Sequence, residues 1–375
     1  MKRFASPVSK VNAEVIGLDV HQAVIVGCRL DRRGQPAGEF RFGGDRESLS
    51  TFLEEKVGRR RPHFALEACG GFLWVYDLLV ERFGKERVHL AQPRRIQMIA
   101  NSTSKNDRND AFWLAHLTYE GRLPEAHVPE PLYRELRIAS RERIHAVQAR
   151  SKAVLRLRSH LRQMGERLPT RSFATKAGRA FVVERAQATA GARGAALREI
   201  LLEIDTFDAL AGRWKEELER LAEQLPDAAT LDREIPGVGK VLAATILGET
   251  GDVRRFSSPK ALGRFTGMTP KERSTGGVQI QGGITREGSR ALRWALMEAV
   301  AHCFLASKGA ALAVADWTRS KAKRLGKLKA RVAAARKLAE SIWRLIHCGE
   351  TFDAAKPFGG RRPEDPALRR AVGLA

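Results

Sequence analysis

The sequence predicts an α/β domain followed by a mostly helical remainder. Three observations carry this reading. Over the first ~125 residues, short β-rich runs alternate with helical ones. From Pro131 to Pro226 the strand signals vanish and charged, heptad-spaced helices replace them. Beyond Asp227 the helical pattern continues around a Gly-rich centre. The expected organisation is residues 1–128 as the α/β domain, 129–226 as a helical coiled-coil linker and 227–350 as a compact helical domain. Residues 351–375, with "GGRRPEDP", are expected to be a disordered tail.

Each element follows from local pattern. "EVIGLDV" is a β-rich run carrying Asp19 at its end, and "AVIVGCRL" and "GEFRFGG" follow after short turns. These three make an antiparallel meander. A helix is expected over Arg46–Val57, a strand at "HFALEA" with Glu67 at its end, and a helix at "GFLWVYDLLVERFG". "RVHLAQP" is a fifth strand, and "SKNDRNDAFWLAHL" opens another helix. The order βββαβαβα suggests a ribonuclease-H-like sheet.

In the middle segment, Val147, Val154, Leu161 and Leu168 repeat every seven residues, and Leu157 and Met164 share a second seven-residue step. Leu197, Ile200, Ile204, Phe207, Ala211, Trp214, Leu218 and Leu221 alternate spacings of three and four, which is a coiled-coil seam. "PTRSFATKAGRA" between them reads as an irregular connector. The pattern fits an antiparallel hairpin within the chain and a dimerising arm equally well, because heptads do not name their partner.

Composition narrows the function. The 375 residues carry a net charge of +23, with Lys and Arg spread along the whole chain. Such a field favours a polyanionic partner, nucleic acid first. No apolar run approaches the ~20 residues of a membrane span, and the expected location is cytoplasmic. The four cysteines show no CxxC pairing and the histidines no HExxH motif, so any metal is expected to have oxygen ligands.

Carboxylates supply such ligands. In a ribonuclease-H-like sheet, strands one and four are neighbours, which brings Asp19 and Glu67 to one sheet edge. Asp107 and Asp110 are three apart and share a helix face. Four carboxylates gathered there would repel strongly unless divalent cations neutralised them. Mg²⁺ prefers oxygen donors, and two ions can stabilise the attacking and leaving oxygens of phosphodiester cleavage. Singly, each residue has a plainer role: a strand-end turn, a surface carboxylate, or a helix N-terminus with favourable charge.

The C-terminal domain holds two further motifs. "IPGVGKVLAATILGETGD" has the form of a helix-hairpin-helix element, in which Gly237, Gly239 and Lys240 could hold a backbone phosphate. A tight helix–helix turn explains the same residues. "GMTPKERSTGGVQIQGGITREGSRALRWAL" sets Ser274 beside Arg273, ahead of Arg286, Arg290 and Arg293. Arginines near a serine suit attack on a phosphodiester, where they stabilise the developing charge. A Ser/Thr-Gly surface turn is the plainer alternative.

"GLDVHQ", "ALEACGG" and "KNDRNDAFWLA" resemble the Asp, Glu and Asp-x-x-Asp blocks of the DEDD-type insertion-sequence transposases. "IPGVGKVLAATILGETGDVRRFSSPKALGRFTGMTPKERSTGGVQIQGGITREGSRALRWALMEA" is similar to the C-terminal domain of that family, and "AARKLAESIWRLIHCGE" resembles its closing helix. The resemblance implies a RuvC-like N-terminal domain with Mg²⁺, or Mn²⁺ in its place, on Asp19, Glu67, Asp107 and Asp110. It implies a recombinase guided by a structured noncoding "bridge" RNA that pairs with donor and target DNA, with Ser274 forming a 5′-phosphoserine bond to DNA. It also implies dimers paired into tetramers, with the acidic site of one subunit completed by the serine of another, in a bacterial, nucleoid-associated setting. The chain reads Ser-Thr-Gly-Gly where the family often has Ser-Gly, and Ser289 stands where Asn is frequent, which makes Ser289 a second candidate nucleophile. Two other functions fit the residues. One is a metal-dependent Holliday-junction-type endonuclease using water. The other is an RNA-binding architectural protein.

Overall fold

The computed structural model describes residues 11–93, 95–96, 107–170, 172–275 and 278–359. The chain divides into two compact units, Met1–Val128 and Pro129–Ala375.

The first unit is a five-stranded sheet in the order β3-β2-β1-β4-β5. β1 (Val15–Val20), β2 (Val24–Leu30) and β3 (Pro36–Gly43) form the antiparallel meander. β4 (His63–Glu67) pairs parallel with β1, and β5 (Val88–Ala91) pairs parallel with β4. The adjacency of strands one and four expected from the sequence is therefore present. α1 (Arg46–Phe52), which runs on as a π-helical turn to Val57, and α2 (Phe72–Phe83) are the next helices, followed after β5 by α3 (Asp107–Tyr119).

β1 is buried along its whole length, so its alternating side chains meet two different layers. Ile16, Leu18 and Val20 join Leu49, Phe52, Val75 and Leu79 of α1 and α2 in one core. Val15 instead clusters with Ala111, Ala115 and Tyr119 of α3. Gly17 lies on that second face: a Cβ there would come 2.0 Å from the Ala111 carbonyl oxygen and 2.7 Å from the Ala115 nitrogen. The glycine and the two alanines let helix and strand approach closely.

The second unit opens with a long helical hairpin. α4 (Pro131–Gln163) and α6 (Gly191–Ala222) pack together, and α5 (Lys176–Ala188) packs on α6. The pairing is antiparallel and within the chain. Leu157 and Leu161 late in α4 share a cluster with Leu197 and Ile200 early in α6. Leu136 and Ala139 early in α4 share another with Leu218 and Leu221 late in α6. Two expectations change. The seam of α4 runs through Ala146, Ala153, Leu157 and Leu161, while Val147 and Val154 are only partly covered. And the connector expected to be irregular holds α5, capped at Thr175, whose hydroxyl oxygen accepts from the Gly178 amide.

The rest of the unit is α7 (Pro226–Glu234), α8 (Lys240–Thr250), α9 (Pro259–Phe265), the hairpin β6 (Pro270–Thr275) and β7 (Val278–Ile284), α10 (Arg290–Cys303), α11 (Gly309–Leu325), α12 (Lys327–Cys348) and α13 (Ala355–Phe358). Its core includes the first turns of α4 and the last turns of α6, so the hairpin is rooted in it. Glu249, 1% exposed at its side chain, is gripped there by Arg141 of α4 through bonds of 2.8 and 3.0 Å. The tail expected from 351 is partly ordered. Phe358 of α13 is buried against Trp317, while residues 360–375 lie outside the described residues. No described helix is long and apolar enough to cross a membrane.

Candidate active site

The sheet register places two of the four expected carboxylates side by side. The last paired residues of β1 and β4 are Leu18 and Leu66. Asp19 and Glu67 each follow by one, so they stand level on neighbouring strands. Period-two alternation puts both on the face of Gly17 and Ala65, the face that α3 covers.

α3 runs antiparallel to β1. At one end the Val11 amide donates to the Tyr119 carbonyl (2.9 Å), and further along Gly17 meets Ala111 and Ala115. Two residues of strand advance about 6.6 Å and four of helix about 6 Å. Moving from Gly17 to Asp19 therefore matches moving from Ala111 back to Asp107. Asp107 sits one turn ahead of Ala111, and Asp110 one turn ahead of Leu114, which is packed beneath Ala65 and Ala91. The start of α3 thus lies at the strand ends that carry Asp19 and Glu67. Asp110 is half-buried, while the Asp107 side chain lies outside the described residues.

The Asp19 side chain is only 12% exposed, and His21 Nε2 stands 3.0 Å from its Oδ2. His21 is a functional candidate that the sequence reading passed over. The available signal was its place two residues after Asp19, where an extended chain returns to the same face. Beside it, the Cys69 thiol donates to the Val20 carbonyl at 3.3 Å and ties the end of β1 to the loop after β4.

The donor chemistry here is all carboxylate oxygen, which fits a hard divalent cation. Among the described residues no three Asp, Glu, His or Cys side chains form a group that could hold a metal ion. Asp19, Glu67 and Asp110 alone do not close such a site.

In the second unit, Ser274 lies on β6 opposite Gln279 of β7, and Arg273 lies opposite Ile280. Their side chains lie outside the described residues. The segment after β7 packs tightly on the end of α9. A Cβ on Gly288 would come 2.1 Å from the Phe265 carbonyl oxygen, and Arg286 adopts φ 58°, the one non-glycine residue with positive φ among those described. Arg293 donates to the Gly288 carbonyl at 2.5 Å. Burial lowers the Arg293 pKa first, and the nearby charges of Arg286 and Arg290 lower it further. The three arginines are thus close enough to repel, and an anion among them would relieve that repulsion.

Ser289 has a structural role. It is the N-cap of α10, and its oxygen accepts from the Ala291 and Leu292 amides at 3.1 and 3.3 Å. The two glycines between α7 and α8 also part company. Gly237 has φ +77°, and a Cβ there would meet the Ala299 carbonyl oxygen at 2.1 Å; its own carbonyl lies 3.0 Å from His302 Nδ1. It serves close packing on α10. A Cβ on Gly239 would meet nothing within 4 Å, and this glycine faces solvent with Lys240 at the start of α8.

Fold and site thus define a two-part protein with an acidic sheet edge and a basic helical unit. Comparison with known proteins gives this class a family. A DEDD transposase model of the IS110 type matches residues 16–166, and a model described as "Transposase IS116/IS110/IS902 family" matches residues 229–314. The chain is 24% identical over 355 residues to the "Transposase for insertion sequence element IS1111A" of Coxiella burnetii, covering 92% of each. It is 26% identical over 294 residues to the "Transposase for insertion sequence element IS1328" of Yersinia enterocolitica, covering 77% of this chain and 84% of that one. Both units of the chain are thus similar to IS110/IS116-family insertion-sequence transposases.

Proposed function

We propose that the protein cuts and rejoins DNA by serine attack, assisted by a divalent cation, under the guidance of a structured RNA. The observation that carries this reading is the meeting of Asp19, Glu67 and the start of α3 at one sheet edge, in a chain with two transposase-family matches. In this reading the first unit has a ribonuclease-H/RuvC-like fold, and Asp19, Glu67, Asp107 and Asp110 hold Mg²⁺. Bound there, the ion would neutralise charge on the scissile phosphate and stabilise the leaving oxygen.

The protein's own groups would do the rest. Ser274 gives up its proton to water, its Oγ attacks the phosphorus, and water returns a proton to the departing 3′ oxygen. The bond from phosphorus to the 3′ oxygen breaks, leaving a 3′-hydroxyl and a 5′-phosphoserine. Arg273, Arg286 and Arg290 would bind the phosphate oxygens, with Arg293 holding the Gly288 turn in place behind them. Gly239 and Lys240 would hold a backbone phosphate away from the chemistry, as in a helix-hairpin-helix element. The DNA partners are a donor and a target duplex, and the assembly is a dimer or tetramer of this chain.

The test is a denaturing gel with labelled DNA and copurified RNA. Wild-type protein is expected to leave a protein-linked 5′ end, and Ser274→Ala to leave none while still binding RNA. An adduct that survives Ser274→Ala would overturn the nucleophile. Cleaved DNA with a free 5′-phosphate and no bound protein would favour water, and with it a junction-type endonuclease.

A further inference from the structure

The C-terminal helical pair carries charge that the proposed chemistry does not use. From Arg319 to Lys337 the chain has nine Lys or Arg and no Asp or Glu. These residues span the end of α11, the turn at Gly326 and the start of α12. Among the described residues, Lys323, Arg324, Lys327, Lys329 and Arg331 are exposed, and no ion pair holds any of them to a carboxylate.

Two aromatic rings organise this charge. Arg319 of α11 and Arg331 of α12 both sit over Phe304, each 5.1 Å from its centroid. Lys321 of α11 and Lys337 of α12 both sit over Trp317, at 5.6 and 5.3 Å. Each ring therefore draws one cation from each helix to the same place. Cation–π attraction offsets part of the repulsion between them. The crowding remains felt: Lys337 is pushed below the usual lysine range, first by burial and then, against the pull of Glu340, by Arg336, Lys321 and Arg344. Asp316 pairs with Arg319 and Glu340 with Arg336, but the exposed cations around the Gly326 turn have no carboxylate partner among the described residues, and such a field favours a polyanion.

We propose that this α11–α12 face is a docking surface for the sugar–phosphate backbone of duplex DNA. The surface fits a backbone rather than bases. Lys323, Lys327 and Lys329 are flexible point charges, which meet phosphates without carrying sequence information. Single-stranded nucleic acid is bound on open aromatic faces, and here both rings are covered by cations. The transposase relatives favour duplex DNA as the occupant. The inference rests on the reading of the chain as a DNA enzyme, but it does not depend on the identity of the nucleophile.

The experiment is a salt titration of the full chain binding a 40-base-pair duplex of arbitrary sequence, measured by fluorescence anisotropy. The variant is Lys323→Gln/Lys327→Gln/Lys329→Gln/Arg331→Gln, which changes exposed side chains only. Each lost phosphate contact removes about 0.9 from the slope of log K against log salt. The variant's slope is expected to be shallower by about 3 to 4 and its affinity near 0.15 M salt lower by roughly tenfold or more. The charge-keeping variant Lys323→Arg/Lys327→Arg/Lys329→Arg/Arg331→Lys is expected to keep the wild-type slope. A slope changed by less than about 1 in the Gln variant would overturn the proposal. So would a loss seen with an RNA hairpin but not with the duplex, or a wild-type protein that does not bind duplex DNA. Thermal melting checks the fold; relief of like-charge repulsion opposes the lost Arg331–Phe304 contact, so Tm is expected to stay close to wild type. If Ser274→Ala still forms an adduct while the Gln variant loses its slope, the nucleophile fails and the docking surface stands.

Discussion

The acidic edge of the first unit and the serine hairpin of the second are built in opposite ways. Asp19 and Glu67 are 48 positions apart in sequence and meet because two parallel strands share a register. The start of α3 is brought toward the same edge because that helix packs on Gly17. Ser274, Arg286, Arg290 and Arg293 lie within 20 positions of one another on a hairpin, the turn after it and the first turn of α10. The first arrangement depends on the whole sheet and the second on local chain geometry. A site fixed by register should lose activity without losing fold when a carboxylate is neutralised. The sharpest test is Asp19→Asn or Glu67→Gln. Either is expected to reduce DNA cleavage by about a thousandfold or more, the equivalent of several kcal/mol of lost charge stabilisation. A thermal melt within a few degrees of wild type should accompany it. Cleavage within about tenfold of wild type would remove that carboxylate from the chemistry.

The packing that brings α3 to the edge can be broken directly. Gly17→Ala places a methyl 2.0 Å from the Ala111 carbonyl, so helix or strand must shift. The expected cost is about 3 kcal/mol, as in overpacked cores, read from the urea midpoint, together with loss of cleavage. Gly239→Ala meets nothing within 4 Å and should cost less than about 1 kcal/mol. Equal costs at the two sites would undo the contrast between a glycine needed for packing and one open to solvent.

Much of the first unit was legible because its signals are long-range and regular. The β-rich runs "VIGLDV" and "HFALEA" and the element order pointed to the sheet, and with it the Asp19–Glu67 adjacency. The second unit was less legible. A mostly helical domain was expected there, yet "TPKERSTGGVQIQGGI" forms β6 and β7. The signal was there: Val278 and Ile280 alternate with glutamines after a Gly-Gly pair, a hairpin signature masked by the charged first strand. In α4 the heptad valines drew attention away from Ala146 and Ala153. Small residues let α4 and α6 approach, and hydrophobicity alone does not rank them. His21 was missed because a lone histidine after a strand carries no motif. Only the register shows which face it shares with Asp19.

The hairpin side has its own smaller test. Ser289→Ala removes the cap of α10 and two hydrogen bonds to its first amides. The expected loss is about 1 kcal/mol, typical of an N-cap, with adduct formation intact. Loss of the adduct in this variant, with Ser274 present, would make Ser289 the nucleophile and move the chemistry to the helix start.

The smallest effect expected lies at the other end of the same sheet, where β4 begins. His63 Nδ1 stands 2.9 Å from His89 Nε2, and His89 Nδ1 stands 2.6 Å from Glu125 Oε1. The Glu125 carboxylate can only accept, so His89 carries its proton on Nδ1 and the His63–His89 bond needs one proton between them. Burial first, and then the neighbouring charges of His89 and Arg87, together lower the His63 pKa from 6.5 to about 4 against a weaker pull from Glu86. The unfolded chain therefore binds a proton that the folded chain refuses between those values. The sign follows from linkage: His63's contribution to stability is whole above pH 6.5 and is lost as pH falls toward 4. Tm measured from pH 7 downward is expected to fall less steeply through this window in His63→Gln than in wild type. Parallel curves would mean that the fold does not depress the titration of His63.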